Sequence, residues 1–217
     1  MAEQMDVSVF DMPPEAKRRP YGVPIERIAT QLFDGVLQRL RRDCRVVFVG
    51  QCCGSRIAHE IATRLQAQGS LIDLLVIADA ARSADFVQGP RRGTIGRFRY
   101  RLRKIAFSCL SDRRLWQWKD AYESTAHPSF LVKKLGGWSD DTIRVRQSMK
   151  WKPNRLNAQS LLLLSAETLQ RNPDVPRDLG WNANCSPLKV VPFGEGHMEY
   201  TEKPLGTTLR TLILSML

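Results

Sequence analysis

A turn that joins an apolar strand directly to an amphipathic helix constrains this chain more than any other feature. The run RVVFVG (45–50) is apolar and rich in β-branched residues, which favours a strand buried on both faces. It leads into Gly50-Gln51-Cys52-Cys53-Gly54, where glycines flank the central residue at both second neighbours. An apolar stripe with helical spacing follows: Ile57, Ala58, Ile61, Ala62 and Leu65. This order predicts a strand–turn–helix unit that presents Cys52 at the turn.

Similar units recur along the chain. Buried strands are predicted at LLVIAD (74–79), LLLLSA (161–166) and LKVVPF (188–193), and a short earlier strand at MDVSVF (5–10). A helical period begins at Pro24 and precedes the strand at 45–50. Strands that alternate with helices predict an α/β fold with a mostly parallel sheet flanked by helices.

The interval from about 84 to 157 breaks this rhythm and is too long for one loop. It carries its own helical pattern, with Phe98, Leu102 and Ile105 on one face. Between 91 and 119 it holds ten basic residues and one acidic residue, Asp112, which localises much of the net charge of +11. We therefore expect a single domain over residues 1–217, with a basic helical lid inserted at about 84–157.

Composition excludes several other classes. The chain has neither a signal-peptide pattern at its start nor an apolar run of the roughly 20 residues that a membrane span needs. The five cysteines contain no CxxC pair, so we expect free thiols without a metal site or a disulfide framework. These features predict a cytoplasmic protein that does not bind a membrane.

The turn has a chemical interpretation. A residue held at such a turn lies at a helix N-terminus, whose dipole favours a thiolate. We therefore expect Cys52 to be a nucleophile and the backbone N–H of Cys53 to belong to an oxyanion hole. The alternative is a structural turn with buried cysteines.

A nucleophile of this kind needs a base and a carboxylate. His197 follows the last predicted strand in Gly194-Glu195-Gly196-His197, and it is the candidate base. His59 lies inside the helix after the turn, which would carry it away from the active edge, so a surface or packing role suits it better. His127 before a proline suits a loop cap. Asp79 and Glu167 each follow a predicted strand, and spacing alone does not choose between them as the acid.

These motifs resemble the thioesterase domains that terminate non-ribosomal peptide and polyketide synthesis. The closest stretch is FVGQCCGSRIAHEIATRLQAQGSLIDLLVIADAA, supported by DVSVFDMPPE upstream and by WKPNRLNAQSLLLLSAE and DLGWNANCSPLKVVPFGEGHMEYTEKP downstream. The resemblance covers most of the chain except the insertion. It implies an α/β-hydrolase-like fold, Asp79 as the acid, and a lid.

The resemblance also implies a partner. Such domains receive an acyl or peptidyl thioester on the phosphopantetheine arm of an acidic carrier protein, and the basic insertion suits both. We expect no cofactor beyond that arm. The implied activity is release of the chain through a Cys52 acyl-enzyme, by hydrolysis or cyclisation.

Two departures from the family pattern stand out. Cys52 replaces the usual serine, and a thioester acyl-enzyme is more reactive toward amines than an oxoester. In addition, the family's first strands and its glycine-rich oxyanion loop have no counterpart, so we expect an N-terminally truncated fold. The alternative function is a catalytically incomplete relative that docks carrier proteins. Nucleic-acid binding, suggested by basic and aromatic residues at 97–104, is disfavoured because helical packing explains the aromatics.

Overall fold

The computed structural model describes residues 6–11, 13, 23–41, 44–82, 151–171, 175–196 and 205–217. Their elements in chain order are α1 (Ile25–Leu37), β1 (Val47–Gln51), α2 (Cys53–Ala67), β2 (Leu74–Ala78), β3 (Gln159–Leu164), α3 (Ala166–Arg171), a short 3-10 helix (Trp181–Ala183), β4 (Leu188–Pro192) and α4 (Leu205–Met216).

In the described chain, β1 to β4 form one parallel sheet in the order β1-β2-β3-β4. Each of the four strands overlaps its predicted apolar run. The register aligns the strand ends, because Gln51 pairs with Ala78 and Ala78 pairs with Leu163. The predicted α/β fold is therefore confirmed, and the carboxyl ends of these strands meet at one edge.

The two central strands explain the apolar runs. Every residue of β2 is buried, and so is every residue of β3 after Gln159. Leu75 and Ile77 face the cluster that contains α1 and α2, whereas Leu74 and Val76 face the cluster that contains α4. Burial on both faces removes the polar alternation of a half-exposed strand. No helix in the described residues is long and apolar enough to cross a bilayer.

The predicted strand at 5–10 is wrong for its described residues, 6–10. They form no strand, and Val7 and Val9 are 73% and 86% exposed. An ion pair between Asp6 and Arg41, 3.4 Å apart, joins this segment to the chain beyond α1. The alternating valines were the reason for the prediction, but a strand also needs a neighbour for its backbone groups, and the described chain supplies none here.

Most of the predicted lid lies outside the described residues, and the interval 84–157 stays a prediction. Its last part, 151–157, is described and contains no helix. Trp151 and Leu156 are buried in the α1–α2 side of the core, and Leu156 forms a parallel bridge with Cys185. The end of the predicted insertion therefore belongs to the body of the fold.

Asn184 contacts the chain on both sides of the insertion. Its Oδ1 accepts a hydrogen bond from Arg82 Nη1 at 3.0 Å, on the side that precedes the insertion. Its Nδ2 donates to the carbonyl oxygens of Pro153 and Asn154, at 2.7 and 3.4 Å, on the side that follows. One amide thus joins the two points where the described chain stops and resumes.

Candidate active site

Cys52 lies between β1 and α2 with φ 53° and ψ −122°. A positive φ in a residue other than glycine is uncommon and costs about 1–3 kcal/mol, so it persists only where surrounding structure enforces it. The Cys52 N–H donates to the Ala78 carbonyl at 3.0 Å, and the half-buried thiol makes no capping hydrogen bond to α2. The predicted sharp turn is present, with Cys52 at its strained position.

Gly50 and Ser55 shape this turn. A Cβ on Gly50 would lie 2.5 Å from Ser55 Cα and 2.6 Å from the Gly54 backbone. Ser55 Oγ donates to the Gly50 carbonyl at 2.6 Å, and Ser55 N–H donates to the Cys52 carbonyl at 3.2 Å. The turn therefore leaves no room for a side chain at Gly50. At Gly54 a Cβ would meet no described atom within 4 Å, so the same explanation does not extend to it.

The second thiol of the pair differs from the first. Cys53 is the first residue of α2 and is half-buried. A hydrogen bond with Cys52 raises the pKa of the Cys53 thiol, and burial raises it further. Both effects favour the protonated form of the Cys53 thiol.

Arg56 adds positive charge one turn into α2. Its guanidinium donates to the Ala81 carbonyl, at 2.7 Å from Nη2 and 3.1 Å from Nε, and to the Arg82 carbonyl at 3.2 Å. Its charge partly opposes the raised pKa of Cys53 and interacts favourably with Cys52. Sequence reasoning missed Arg56, although its position on the first turn of α2, four residues after the candidate nucleophile Cys52, could have drawn attention to it.

Asp79 follows β2 directly and also has a positive φ, 52°. It is 6% exposed, and its N–H donates to the Leu163 carbonyl at 2.8 Å. Its carboxylate accepts two hydrogen bonds from Ser165, from the backbone N–H to Oδ1 at 3.1 Å and from Oγ to Oδ2 at 2.7 Å. Sequence reasoning missed Ser165, because the contact joins residues that are 86 positions apart.

The other candidate acid has a different environment. Glu167 lies in the first turn of α3 and is half-exposed. Its N–H donates to the Glu195 carbonyl at 2.9 Å, which brings its backbone to the edge that holds Asp79.

His197 lies outside the described residues, and its pairing with Cys52 stays a prediction. The described chain reaches Gly196, and Gly194 has φ 76°. The Gly194 carbonyl accepts a hydrogen bond from Ala166 N–H at 3.0 Å. The loop before His197 therefore leaves β4 at the same edge as Cys52 and Asp79.

Of the two roles expected for His59, surface or packing, the structure shows packing. It is fully buried, with its ring 5.5 Å from that of Trp151 and 5.3 Å from that of Trp181. Nε2 lies 3.5 Å from the Asn184 carbonyl, and Nδ1 has no hydrogen-bond partner among the described residues. Burial lowers the pKa of His59 to about 4, so this imidazole is neutral at neutral pH. His127 lies outside the described residues.

The two other described cysteines precede strands and lie away from the carboxyl edge of the sheet. Cys44 is an exposed free thiol, and Cys185 is a buried one whose pKa burial raises to about 11. The expectation of free thiols is confirmed for the four described cysteines, and Cys109 lies outside that part of the chain. Within the described ranges no three His, Cys, Asp or Glu residues form a group that could hold a metal ion.

Solved structures share this fold. The thioesterase RedJ, from the prodiginine biosynthetic pathway in Streptomyces coelicolor, aligns with a TM-score of 0.51 and 16% identity, over 96% of this chain and 78% of RedJ. The four-domain nonribosomal peptide synthetase AB3403 aligns with a TM-score of 0.52 and 17% identity, over 89% of this chain. This chain spans only 16% of that synthetase.

No protein-family model matches the sequence, and no curated protein matches it significantly. The structural likeness therefore establishes the fold. The chain has an α/β-hydrolase-like fold. More narrowly, it is the fold of thioesterase domains such as RedJ, as the resemblance in sequence implied.

Proposed function

We propose that this chain is a thioesterase or acyltransferase that takes an acyl or peptidyl group from a carrier-protein thioester onto Cys52. The observation that carries the proposal is the strained Cys52 turn at a helix N-terminus, next to the buried Asp79, within a thioesterase fold. A nucleophile and an acid at the ends of adjacent parallel strands suit the chain order of this fold, with the base following from the last strand.

In the acylation step, His197 takes the proton of the Cys52 thiol, and the Cys52 sulfur attacks the thioester carbonyl carbon. The tetrahedral intermediate collapses, its carbon–sulfur bond to the phosphopantetheine thiol breaks, and His197 returns a proton to that leaving thiol. The Cys53 N–H, among the first N–H groups of α2, has no partner within the helix and is available to the oxyanion. Arg56 and the helix dipole both favour the Cys52 thiolate before attack.

Asp79 suits the role of the acid better than Glu167. It is 6% exposed and accepts two hydrogen bonds from Ser165, whereas Glu167 is only partly buried. A buried, oriented carboxylate can stabilise an imidazolium more strongly than a partly buried one, because less water screens the pair.

The release step exchanges one bond for another. Water, an amine or a hydroxyl attacks the Cys52 thioester while His197 takes its proton, and the Cys52 thiolate leaves. Attack by water gives a free acid. Attack by an amine or hydroxyl of the bound acyl or peptidyl group itself gives a cyclic product. The thioester acyl-enzyme keeps both routes open, particularly toward amines.

An acylation experiment tests the proposal. The full chain is incubated with an acyl N-acetylcysteamine thioester, a small mimic of the phosphopantetheine arm, and intact mass and peptide mapping then locate the adduct. We expect one acyl group on Cys52, none on Cys52→Ala, and an unchanged adduct on Cys44→Ala, which removes an exposed thiol away from this edge.

Turnover separates the candidate acids. Asp79→Asn should lower turnover roughly a hundredfold or more, whereas Glu167→Gln should stay close to the unmodified chain. An adduct found only on other cysteines would refute the proposal. Carrier-protein binding without any adduct or turnover would favour the docking relative instead.

A further inference from the structure

Ser165 is a fully buried residue between β3 and α3, and its hydroxyl makes two hydrogen bonds, one as acceptor and one as donor. The oxygen accepts the Thr168 N–H at 3.1 Å, which caps the first turn of α3. The single hydroxyl proton is donated to Asp79 Oδ2 at 2.7 Å. Because Ser165 N–H donates to Oδ1, each carboxylate oxygen of Asp79 receives one donor from the same residue.

The next two residues, Ala166 and Glu167, bind the loop that follows β4. Ala166 N–H donates to the Gly194 carbonyl at 3.0 Å, and Glu167 N–H donates to the Glu195 carbonyl at 2.9 Å. The first N–H groups of a helix have no partner inside it, so these contacts satisfy donors that would otherwise need water. Both acceptors belong to the loop that immediately precedes His197.

We propose that the segment Ser165–Glu167 is a positioning element of the candidate active site, which keeps Asp79 oriented as an ionised acceptor and anchors the loop Gly194–Gly196. This inference rests on the proposed function. Ser165 is a positioning residue, because it acts on Asp79 and not on the substrate. Two hydrogen bonds fix the plane of the carboxylate, and both favour its charged form.

The proposed positioning element explains why a serine occupies position 165. Ser165 follows the four leucines that end β3, so it places a polar group in an apolar core. Such a group is unfavourable unless its hydroxyl both donates and accepts a hydrogen bond. Here Asp79 and Thr168 satisfy both requirements. The polar groups of Ser165 thus connect the acid to α3, which in turn holds the loop.

The test compares two buried serines near opposite ends of β3: Ser165 follows the strand, and Ser160 is its second residue. Ser165→Ala removes the hydroxyl next to Asp79, and Ser160→Ala removes a fully buried hydroxyl at the opposite end of β3, where it donates to the Ala158 carbonyl at 3.1 Å. Two readouts are followed against pH for each variant: kcat/KM on the acyl N-acetylcysteamine thioester, and the rate of iodoacetamide alkylation at Cys52.

For Ser165→Ala we expect kcat/KM to fall at least about tenfold at neutral pH, since a hydrogen bond to a charged group is lost. We also expect the midpoint on the acid side of the kcat/KM profile to move to higher pH, because the charged Asp79 carboxylate loses the hydrogen bond that the Ser165 hydroxyl donates. Ser160→Ala should keep the midpoint of the unmodified chain even if it is less stable. Ser165→Thr, which keeps the hydroxyl, should restore the midpoint.

Ser165→Gly guards against loss of folding, because glycine at a helix N-cap costs little stability while it also removes the hydroxyl. A Ser165→Ala or Ser165→Gly variant with the profile of the unmodified chain would overturn the inference. If the unmodified chain forms no Cys52 adduct, the proposed function itself fails. If the adduct forms but the Ser165 variants keep the pH profile of the unmodified chain, the positioning role of Ser165 is refuted and the proposed function is not.

Discussion

Cys52 and Asp79 stand one residue beyond the paired ends of neighbouring parallel strands, and both have a positive φ, 53° and 52°. Each continues the ladder by one backbone bond, Cys52 N–H to the Ala78 carbonyl at 3.0 Å and Asp79 N–H to the Leu163 carbonyl at 2.8 Å. Adjacent strands lie about 4.8 Å apart, so the two residues start close together, and both need a φ that is unusual outside glycine.

The glycines of the turn provide a matched pair of variants. Gly50→Ala should destabilise the fold by about 1–3 kcal/mol, because the new Cβ would overlap the Ser55 and Gly54 backbone. Gly54→Ala should be neutral or stabilising by up to about 1 kcal/mol, since its Cβ meets no described atom and alanine suits a helix. Urea unfolding monitored by circular dichroism measures both; equal effects would contradict the steric account of the turn.

Relief of the backbone strain at Cys52 should raise the free energy of unfolding. Cys52→Gly should unfold with a free energy about 1 kcal/mol higher than that of Cys52→Ala, because glycine adopts a positive φ without steric cost. Both variants lose the thiol and should lose turnover equally, so any difference in stability reflects the backbone. Thermal or urea unfolding of the two makes the comparison, and a less stable glycine variant would argue against a strained turn.

Arg56 should promote the thiolate. Arg56→Met removes a cation that attracts Cys52, and iodoacetamide alkylation at Cys52 should slow several-fold at pH 7. Arg64→Met is the control on the same helix, because Arg64 pairs with Glu60 at 2.9 Å and lies about three turns away from the thiols. A similar slowing in both variants would mean that the charge of Arg56 does not act at this site.

His59 should make folding sensitive to acid. Burial lowers its pKa from 6.5 to about 4 in the folded state, so the unfolded chain binds more protons between these values. The stabilisation from this neutral imidazole is complete above pH 6.5 and is lost as pH falls toward about 4, by a total of about 3 kcal/mol.

The pH dependence of unfolding checks this. The unfolding free energy of the unmodified chain should decrease from pH 6.5 to 4.5 more steeply than that of His59→Phe, which keeps an aromatic ring but cannot take up a proton. Parallel pH profiles for the two proteins would rule out the linkage.

The sequence predicted the features that depend on neighbours along the chain. The four sheet strands were found because burial on both faces leaves continuous apolar runs, and the Cys52 turn because a strand, glycines and a helix follow one another. The contacts of Ser165 with Asp79 and of Arg56 with Ala81 depend on tertiary structure, so no local pattern revealed them. The same limit explains the error at 6–10, where alternating valines have no pairing strand in the described chain.

The amide of Asn184 has a consequence for how this chain tolerates change. Because Arg82 and the Pro153 carbonyl bind the same side chain, one amide joins the parts of the described chain that lie on either side of residues 83–150. Replacing Asn184 should therefore disturb both parts together, whereas a change at either one alone leaves the other hydrogen bond of the amide in place.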